Sequence, residues 1–308
     1  MKPVRVAVVQ AGAIPFDCER SLARAEEWIE QAAKSGAELI LFPEAFIGGY
    51  PKGSDFGARV GSRTPEGRAL FRRYHEGAID VPGPATDRLG KAARAHNAWL
   101  VIGVIEREGG TLYCTALFFA PDGTLAGKHR KLMPTAMEKL IWGFGDGSTL
   151  PVIDTGIGRI GAVICWENYM PLLRTAMYAK GVQIYCAPTV DDRERWVATM
   201  RHIALEGRCF VLSACEHSRA ADYPPGWSQD CDAVLIRGGS VIVDPQGEIV
   251  AGPSYDRDCL LTAEIDPGRI AEGTFDFDVV GHYARPDIFR LEVDETPRGV
   301  HFRTEVRP

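Results

Sequence analysis

Ile160-Gly161-Ala162-Val163-Ile164-Cys165-Trp166-Glu167-Asn168 is an apolar run that ends abruptly in a cysteine and a polar turn. The chain then continues through Pro171-Leu172-Leu173-Arg174 to Lys180-Gly181. Proline suits the first turn of a helix and glycine its C-terminal stop. The stretch therefore reads as strand, sharp turn, helix, with Cys165 at the C-terminal end of the strand. In open α/β sheets, chemistry sits beyond such ends. A free cysteine that closes a strand is, however, more often a buried and inert core residue. Cys165 alone does not decide between these readings.

Two other strand ends change the balance. Glu38-Leu39-Ile40-Leu41-Phe42 is apolar and is stopped by Pro43, and Glu44 follows directly. Lys128-His129-Arg130-Lys131-Leu132-Met133-Pro134 leads out of another short strand. A thiol attacks only as thiolate, so it needs a base or a cationic neighbour. A partly desolvated Glu44 would have its pKa raised toward the useful range for a base. Lys131 could lower the thiol pKa and stabilise an oxyanion. Taken singly, Glu44 reads as a surface charge or helix cap, and Lys131 as part of a solvated basic face. A papain-like arrangement fits poorly, because Asn97 and Asn168 are the only asparagines and neither follows a candidate histidine. His202 and Glu206 stand one helical turn apart, but no third ligand has a readable spacing, so a surface ion contact is expected rather than a metal.

The chain has 308 residues, 45% of them hydrophobic and 25% charged, with net charge −6. These are values of an ordinary globular protein. Mild acidity argues against nucleic acid or an anionic membrane as partner. No apolar run approaches the ~20 residues of a membrane span, and the N-terminus reads as a first strand rather than a signal peptide. None of the eight cysteines forms a Cys-x-x-Cys pair, which weakens zinc and redox readings. A reducing cytoplasm is the expected compartment.

Around the central stretch, residues 4–10 form a strand that is apolar on both faces. Asp17 caps a helix whose stripe is Leu22, Ala25, Ile29 and Ala32. Further helices are expected up to His75, over 85–97 and over 193–208, and further strands over 99–105, 113–119, 182–187, 209–214, 239–250 as a hairpin, and 260–265. Strand pairs without intervening helices exclude a simple doubly wound sheet. The order fits two mixed sheets packed face to face with helices on both outer faces. We expect one domain over 1–272 and an irregular arm over 273–308. Phe275, Phe277, Val279, Tyr283 and Phe289 make that arm too apolar to stay solvated.

Three segments resemble the motifs of the nitrilase superfamily of carbon–nitrogen hydrolases, and of its nitrilase branch in particular. Phe42-Pro43-Glu44-Ala45-Phe46 to Tyr50-Pro51 is similar to the glutamate motif, His129-Arg130-Lys131-Leu132-Met133-Pro134-Thr135 to the lysine motif, and Cys165-Trp166-Glu167-Asn168 to the cysteine motif. Trp142 to Ser148 and Gly281 to Asp287 resemble segments of true nitrilases, and the likeness runs from the first strand to about Phe289. The resemblance implies an α-β-β-α sandwich and hydrolysis of an organic nitrile to carboxylic acid and ammonia. Cys165 would attack the nitrile carbon, Glu44 act as general base, and Lys131 stabilise negative charge. Glu138 would position Lys131, and the Trp166 N–H would help bind the oxyanion. Trp142, Tyr50 and Asn168 are expected at the substrate pocket. Trp142 and Trp166 there suggest apolar walls suited to aromatic or arylaliphatic nitriles. No metal or organic cofactor is implied. An amidase or carbamoylase of the same superfamily would use the same three residues. The resemblance also implies a homodimer or higher homo-oligomer; the chain closes at Pro308, shorter than many bacterial members, so the expectation does not extend to filaments.

Overall fold

The structure is a computed structural model, and it describes residues 2–225, 227, 230 and 232–298. Cys231 and residues 299–308 of the expected arm lie outside the described residues. Among the described residues, two seven-stranded sheets carry the fold. The first contains β1 (Val4–Gln10), β2 (Leu39–Leu41), β5 (Ile79–Asp80), β6 (Trp99–Glu108), β7 (Thr111–Phe119), β8 (Leu125–Arg130) and β16 (Cys259–Ile265). Its order is β16-β1-β2-β6-β7-β8, with β5 added beside β6. The second contains β9 (Val152–Thr155), β10 (Gly158–Ala162), β11 (Ile184–Thr189), β12 (Phe210–Cys215), β13 (His217–Arg219), β14 (Val234–Val243) and β15 (Ile249–Tyr255). Its order is β13-β14-β12-β11-β10-β9, with β15 beside β14. A small hairpin, β3 (Ala58–Arg59) and β4 (Ser62–Arg63), stands apart from both.

Three apolar clusters define four layers. Val6, Val8, Leu41, Val101 and Phe118 of the first sheet meet Ile160, Ile184, Leu212 and Ile242 of the second. The outer face of the first sheet buries Val9, Ile40, Leu100 and Leu117 under α1 (Cys18–Lys34) and α3 (Pro84–His96). The outer face of the second buries Tyr185, Val211 and Val243 under α4 (Pro171–Ala179) and α5 (Glu194–Gly207). Each strand that is apolar on both faces is thus covered on both sides, as a buried parallel sheet requires. The expected α-β-β-α sandwich of two mixed sheets is the observed architecture.

Local signals account for the helix ends. The Asp17 side chain accepts from the Arg20 N–H at 3.0 Å, and Thr64 caps α2 (Pro65–Glu76) through the Gly67 N–H at 3.0 Å. Two differences from the sequence reading stand out. Edge strands β9 and β13 escape it because each is short and half polar. A sixth helix, α6 (Gly268–Asp276), occupies residues without an expected element after the last strand and the first residues of the arm expected to be irregular. Its two glycines lower helix propensity, and tertiary packing of Gly273 against Arg208 and Pro245 overrides that preference.

Parallel pairing is what assembles the site. β2 runs parallel to β1 and β6, and β10 runs parallel to β11, which is parallel to β12. The C-terminal ends of β2, β10 and β11 therefore open on one side, where the two sheets face each other. Gly103 on β6 lets the chain after β2 come close: a Cβ there would stand 2.6 Å from the Glu44 Cα.

Candidate active site

Glu44 leaves β2 and is fully buried, and Ala45 after it has a left-handed φ of 56°. Lys131 leaves β8, is also fully buried, and anchors its backbone through its N–H to the Cys114 carbonyl at 2.8 Å. Its ammonium donates to Glu44 Oε1 at 2.7 Å and to Glu138 Oε2 at 2.8 Å. Glu138 sits in a 3₁₀ turn (Ala136–Leu140); its Oε2 also accepts the Thr135 N–H at 2.6 Å, and its Oε1 accepts the Tyr50 hydroxyl at 2.9 Å. Three of the expected residues thus form one chain, carboxylate–ammonium–carboxylate, closed by a tyrosine.

Cys165 faces this chain from the other sheet. It opens a 3₁₀ turn (Cys165–Tyr169) with φ of 50°. A left-handed backbone at a residue with a Cβ is strained and persists only where its surroundings hold it. Asn168 does part of that holding: its side-chain amide donates to the Val163 carbonyl at 2.9 Å and to the Cys165 carbonyl at 2.8 Å. The first backbone bond of the turn runs from the Glu167 N–H to the Ile164 carbonyl, so the Trp166 N–H stands at the N-terminal end of the turn beside Cys165. Thr189, at the end of β11, donates its hydroxyl to Cys165 Sγ at 3.2 Å.

The electrostatics follow from burial and from this charge order. Burial, reinforced by the charge of Glu44, holds the Cys165 thiol well above its ordinary pKa, while Lys131 and the Thr189 hydroxyl pull the other way. Burial likewise raises Glu44, against the lowering effect of Lys131 and with the added push of Glu138. Burial disfavours the charged lysine, but the carboxylates of Glu44 and Glu138 outweigh it and hold Lys131 protonated. The resting site is therefore a neutral thiol, an ammonium, and a carboxylate with raised proton affinity. Glu44 Oε2 has no hydrogen-bond partner of its own among the described residues, and the Cys165 thiol acts on this carboxylate as a donor. Such a carboxylate can accept the thiol proton when a substrate takes the sulfur.

Cys165 borders a cavity of about 200 Å³ that is also lined by Tyr50, Glu138, Trp166, Lys52, Asp191 and Arg193. Trp166 is half-exposed at its rim, donates Nε1 to Asp191 Oδ2 at 2.8 Å, and lies 4.9 Å beneath the Arg193 guanidinium. Tyr50 is on the wall as expected. Trp142 and Asn168 are not, which corrects the expected pocket. Trp142 is buried behind Tyr50, ring to ring at 5.8 Å, with the Lys131 ammonium 5.5 Å from its face. Asn168 is fully buried and spends its amide on the backbone of the cysteine turn. The wall also carries more charge than the apolar lining expected from tryptophans beside the motifs. Thr189 and Asp191 were not singled out in the sequence, although β11 is the third parallel strand ending at the site. His202 is exposed and 3.6 Å from Glu206, a surface contact as expected. Among the described residues, no group of three His, Cys, Asp or Glu side chains is arranged to hold a metal ion.

The carbon–nitrogen hydrolase family model matches residues 5–274. The chain is 60% identical over 302 residues to an aliphatic nitrilase of Sinorhizobium fredii (strain HH103), covering 97% of this chain and 98% of the relative. It is 58% identical to a bifunctional nitrilase/nitrile hydratase, NIT4A, of Lupinus angustifolius, covering 96% of this chain and 87% of the relative. Among solved structures, Nit3 of Saccharomyces cerevisiae, a member of branch 10 of the nitrilase superfamily, superposes with a TM-score of 0.71 at 26% identity, covering 92% of this chain and 97% of that one. The chain belongs to the carbon–nitrogen hydrolase family. Within that family it lies on the nitrilase branch, as an enzyme of carbon–nitrogen bond hydrolysis.

Proposed function

We propose that this enzyme converts an aliphatic nitrile to its carboxylic acid and ammonia through a covalent intermediate on Cys165. The buried Glu44–Lys131–Glu138 chain set beside a thiol that borders a cavity, with Glu138 on the same cavity wall, is the observation that carries the reading. Glu44 takes the Sγ proton as sulfur bonds to the nitrile carbon, and a C≡N π pair moves to nitrogen. Glu44 returns the proton to that nitrogen, giving a thioimidate, while the Lys131 ammonium stabilises the developing negative charge. Water then adds with Glu44 as base. Protonation of nitrogen lets ammonia leave with the C–N bond and produces a thioester. A second water hydrolyses it to the acid and frees the thiol. The Trp166 N–H serves the oxyanion in both hydrolytic steps.

The charged rim of the cavity, with Lys52, Asp191 and Arg193, supports aliphatic over arylaliphatic nitriles, and the name of the Sinorhizobium relative agrees with this. The Lupinus relative's name supports amide as a second product. Ammonia release from matched nitrile and amide panels, with product analysis by NMR, is the test. Turnover of amides without nitriles moves the enzyme to the amidase alternative, and turnover of neither favours a non-catalytic scaffold. We further propose a cytoplasmic homo-oligomer built from dimers, with one hydrolase domain over 1–272 and residues 273–308 as an arm in the oligomer contacts. Exposed Phe275, Tyr283 and Phe289 support this, as do the free cysteines. A monomer in sedimentation at micromolar concentration refutes the oligomer. Among the described residues, no helix is long and apolar enough to cross a membrane.

A further inference from the structure

We infer that Glu167 and His129 form a buried, proton-sharing brace that fixes the lysine loop against the cysteine turn, and that turnover depends on its charge state. The inference rests on the roles proposed above for Lys131 and Cys165. Both side chains are fully buried. Glu167 Oε1 accepts the Leu132 N–H at 2.6 Å, and its Oε2 accepts the Ile164 N–H at 3.0 Å. Leu132 directly follows Lys131, and Ile164 directly precedes Cys165. One carboxylate thus ties together the backbones that present the ammonium and the thiol, from opposite sheets. It also holds the turn in which Cys165 keeps its left-handed backbone. Their bonds go to each other and to backbone groups, and to none of Glu44, Lys131 Nζ or Cys165 Sγ, so both are positioning residues.

The protonation state follows from the partners. His129 Nδ1 lies 2.6 Å from the Thr149 carbonyl, which can only accept, so Nδ1 carries a proton. His129 Nε2 lies 3.0 Å from Glu167 Oε2, which already accepts a backbone N–H. A ring protonated on Nδ1 alone would turn the Nε2 lone pair onto that oxygen, so the contact calls for a proton on Nε2 as well, and the imidazole is doubly protonated. Burial opposes that charge, but Glu167 and the Thr149 carbonyl together raise His129 above its ordinary 6.5. From the packed strands, Glu167 is faced by Cys114 of β7 and Tyr185 of β11, both held neutral by burial; Arg174 of α4 also acts on Tyr185. A group raised in this way gives its full contribution below the unfolded value and loses it as pH rises through the folded one. Above that point the neutral ring has a single N–H, and a lone pair faces either the carbonyl or the carboxylate. The tie between the two loops then weakens, and the alkaline limb of the rate profile carries this ionisation.

Two measurements test the brace. Solid-state NMR of sedimented wild-type enzyme labelled with ¹⁵N-histidine should show a buried imidazolium with both ring nitrogens protonated at pH 7.5. It should be missing from His129→Asn. A neutral single tautomer at His129 overturns the proposal without any assay of turnover. Glu167→Gln cannot accept from both backbones, since one oxygen becomes a donor. It should lower kcat by roughly 10–100-fold, because small misplacement of reacting groups costs about that much. KM should stay within a few-fold, and the alkaline limb should shift. An unchanged kcat, or an equal loss at every pH, overturns the inference. If Glu167→Gln does not fold, the NMR result on the wild type decides. If wild-type enzyme turns over no nitrile or amide, the proposed function fails, while the NMR signature still tests the buried pair.

Discussion

Replacing Lys131 with methionine isolates what the buried ammonium does, because methionine keeps most of the length of the unbranched side chain and removes its charge. Lys131 is fully buried between Glu44, also fully buried, and Glu138, whose side chain is 9% exposed. Glu138 keeps the Thr135 N–H and the Tyr50 hydroxyl after the change. Glu44 keeps only weak thiol donors, Cys114 at 3.7 Å and Cys165, so the penalty falls on Glu44. Breaking a buried ion pair by removing one partner costs about 3–5 kcal/mol. The carboxyl can escape that cost by taking up a proton. Its pKa is already raised by burial, and the lowering effect of Lys131 is gone in the variant.

A carboxyl with a raised folded pKa keeps its stability at low pH and loses it as pH rises from the unfolded value toward the folded one. Each unit in that window is worth about 1.4 kcal/mol. Between pH 5 and pH 8 the gap between wild type and Lys131→Met should therefore widen from near zero toward, at most, the ~3–5 kcal/mol of a broken buried pair, because wild-type Glu44 is itself raised and shares part of the window. Urea unfolding at both pH values measures it. Glu44→Gln combined with Lys131→Met removes the orphaned charge and should regain much of the stability at pH 8. A gap of the same size at both pH values refutes the reasoning. So does a double variant less stable than Lys131→Met. Turnover should fall at least ~10²-fold in either variant, since the charge aimed at the developing anion is missing.

Cys165→Ala should lose turnover and keep a wild-type melting temperature; residual turnover within tenfold of wild type in clean protein removes Cys165 as nucleophile. Glu44→Gln should lower kcat at least ~10²-fold and leave little adduct on Cys165 by mass spectrometry after nitrile addition. In wild type, the acid limb of kcat/KM should lie above the ordinary carboxylate range of 4.5, because burial raises Glu44 and activity is lost as pH falls through the raised value. A limb at or below that range contradicts Glu44 as the base. Thr189→Val keeps shape and removes the hydroxyl 3.2 Å from Sγ, so kcat should drop about tenfold, the worth of one hydrogen bond to a developing charge; a wild-type rate leaves Thr189 with packing alone.

Strand ends are legible where an apolar run is stopped by a proline or a polar turn, and Glu44 and Cys165 stand at such stops; Lys131 follows the basic strand β8 and stands out only through its motif. The same rule reaches Thr189. It was passed over because Pro188 looks like the end of β11, yet a proline is tolerated in a strand wherever its missing N–H is not required. Trp142 and Asn168 mark a deeper limit. Both adjoin motifs, and adjacency along the chain says nothing about which side of the backbone faces the cavity. Trp142 turns inward because its ring can cover Lys131 and back Tyr50, and Asn168 turns inward because the strained Cys165 turn has carbonyls to satisfy. His129 and Glu167 are less visible still. Each lies within a motif already assigned to another residue, and only tertiary pairing, between residues far apart in sequence, brings them into contact. What the pattern of residues conveys is where strands end; which neighbour of each end supports the chemistry is decided by the unsatisfied backbone groups that the two sheets bring together.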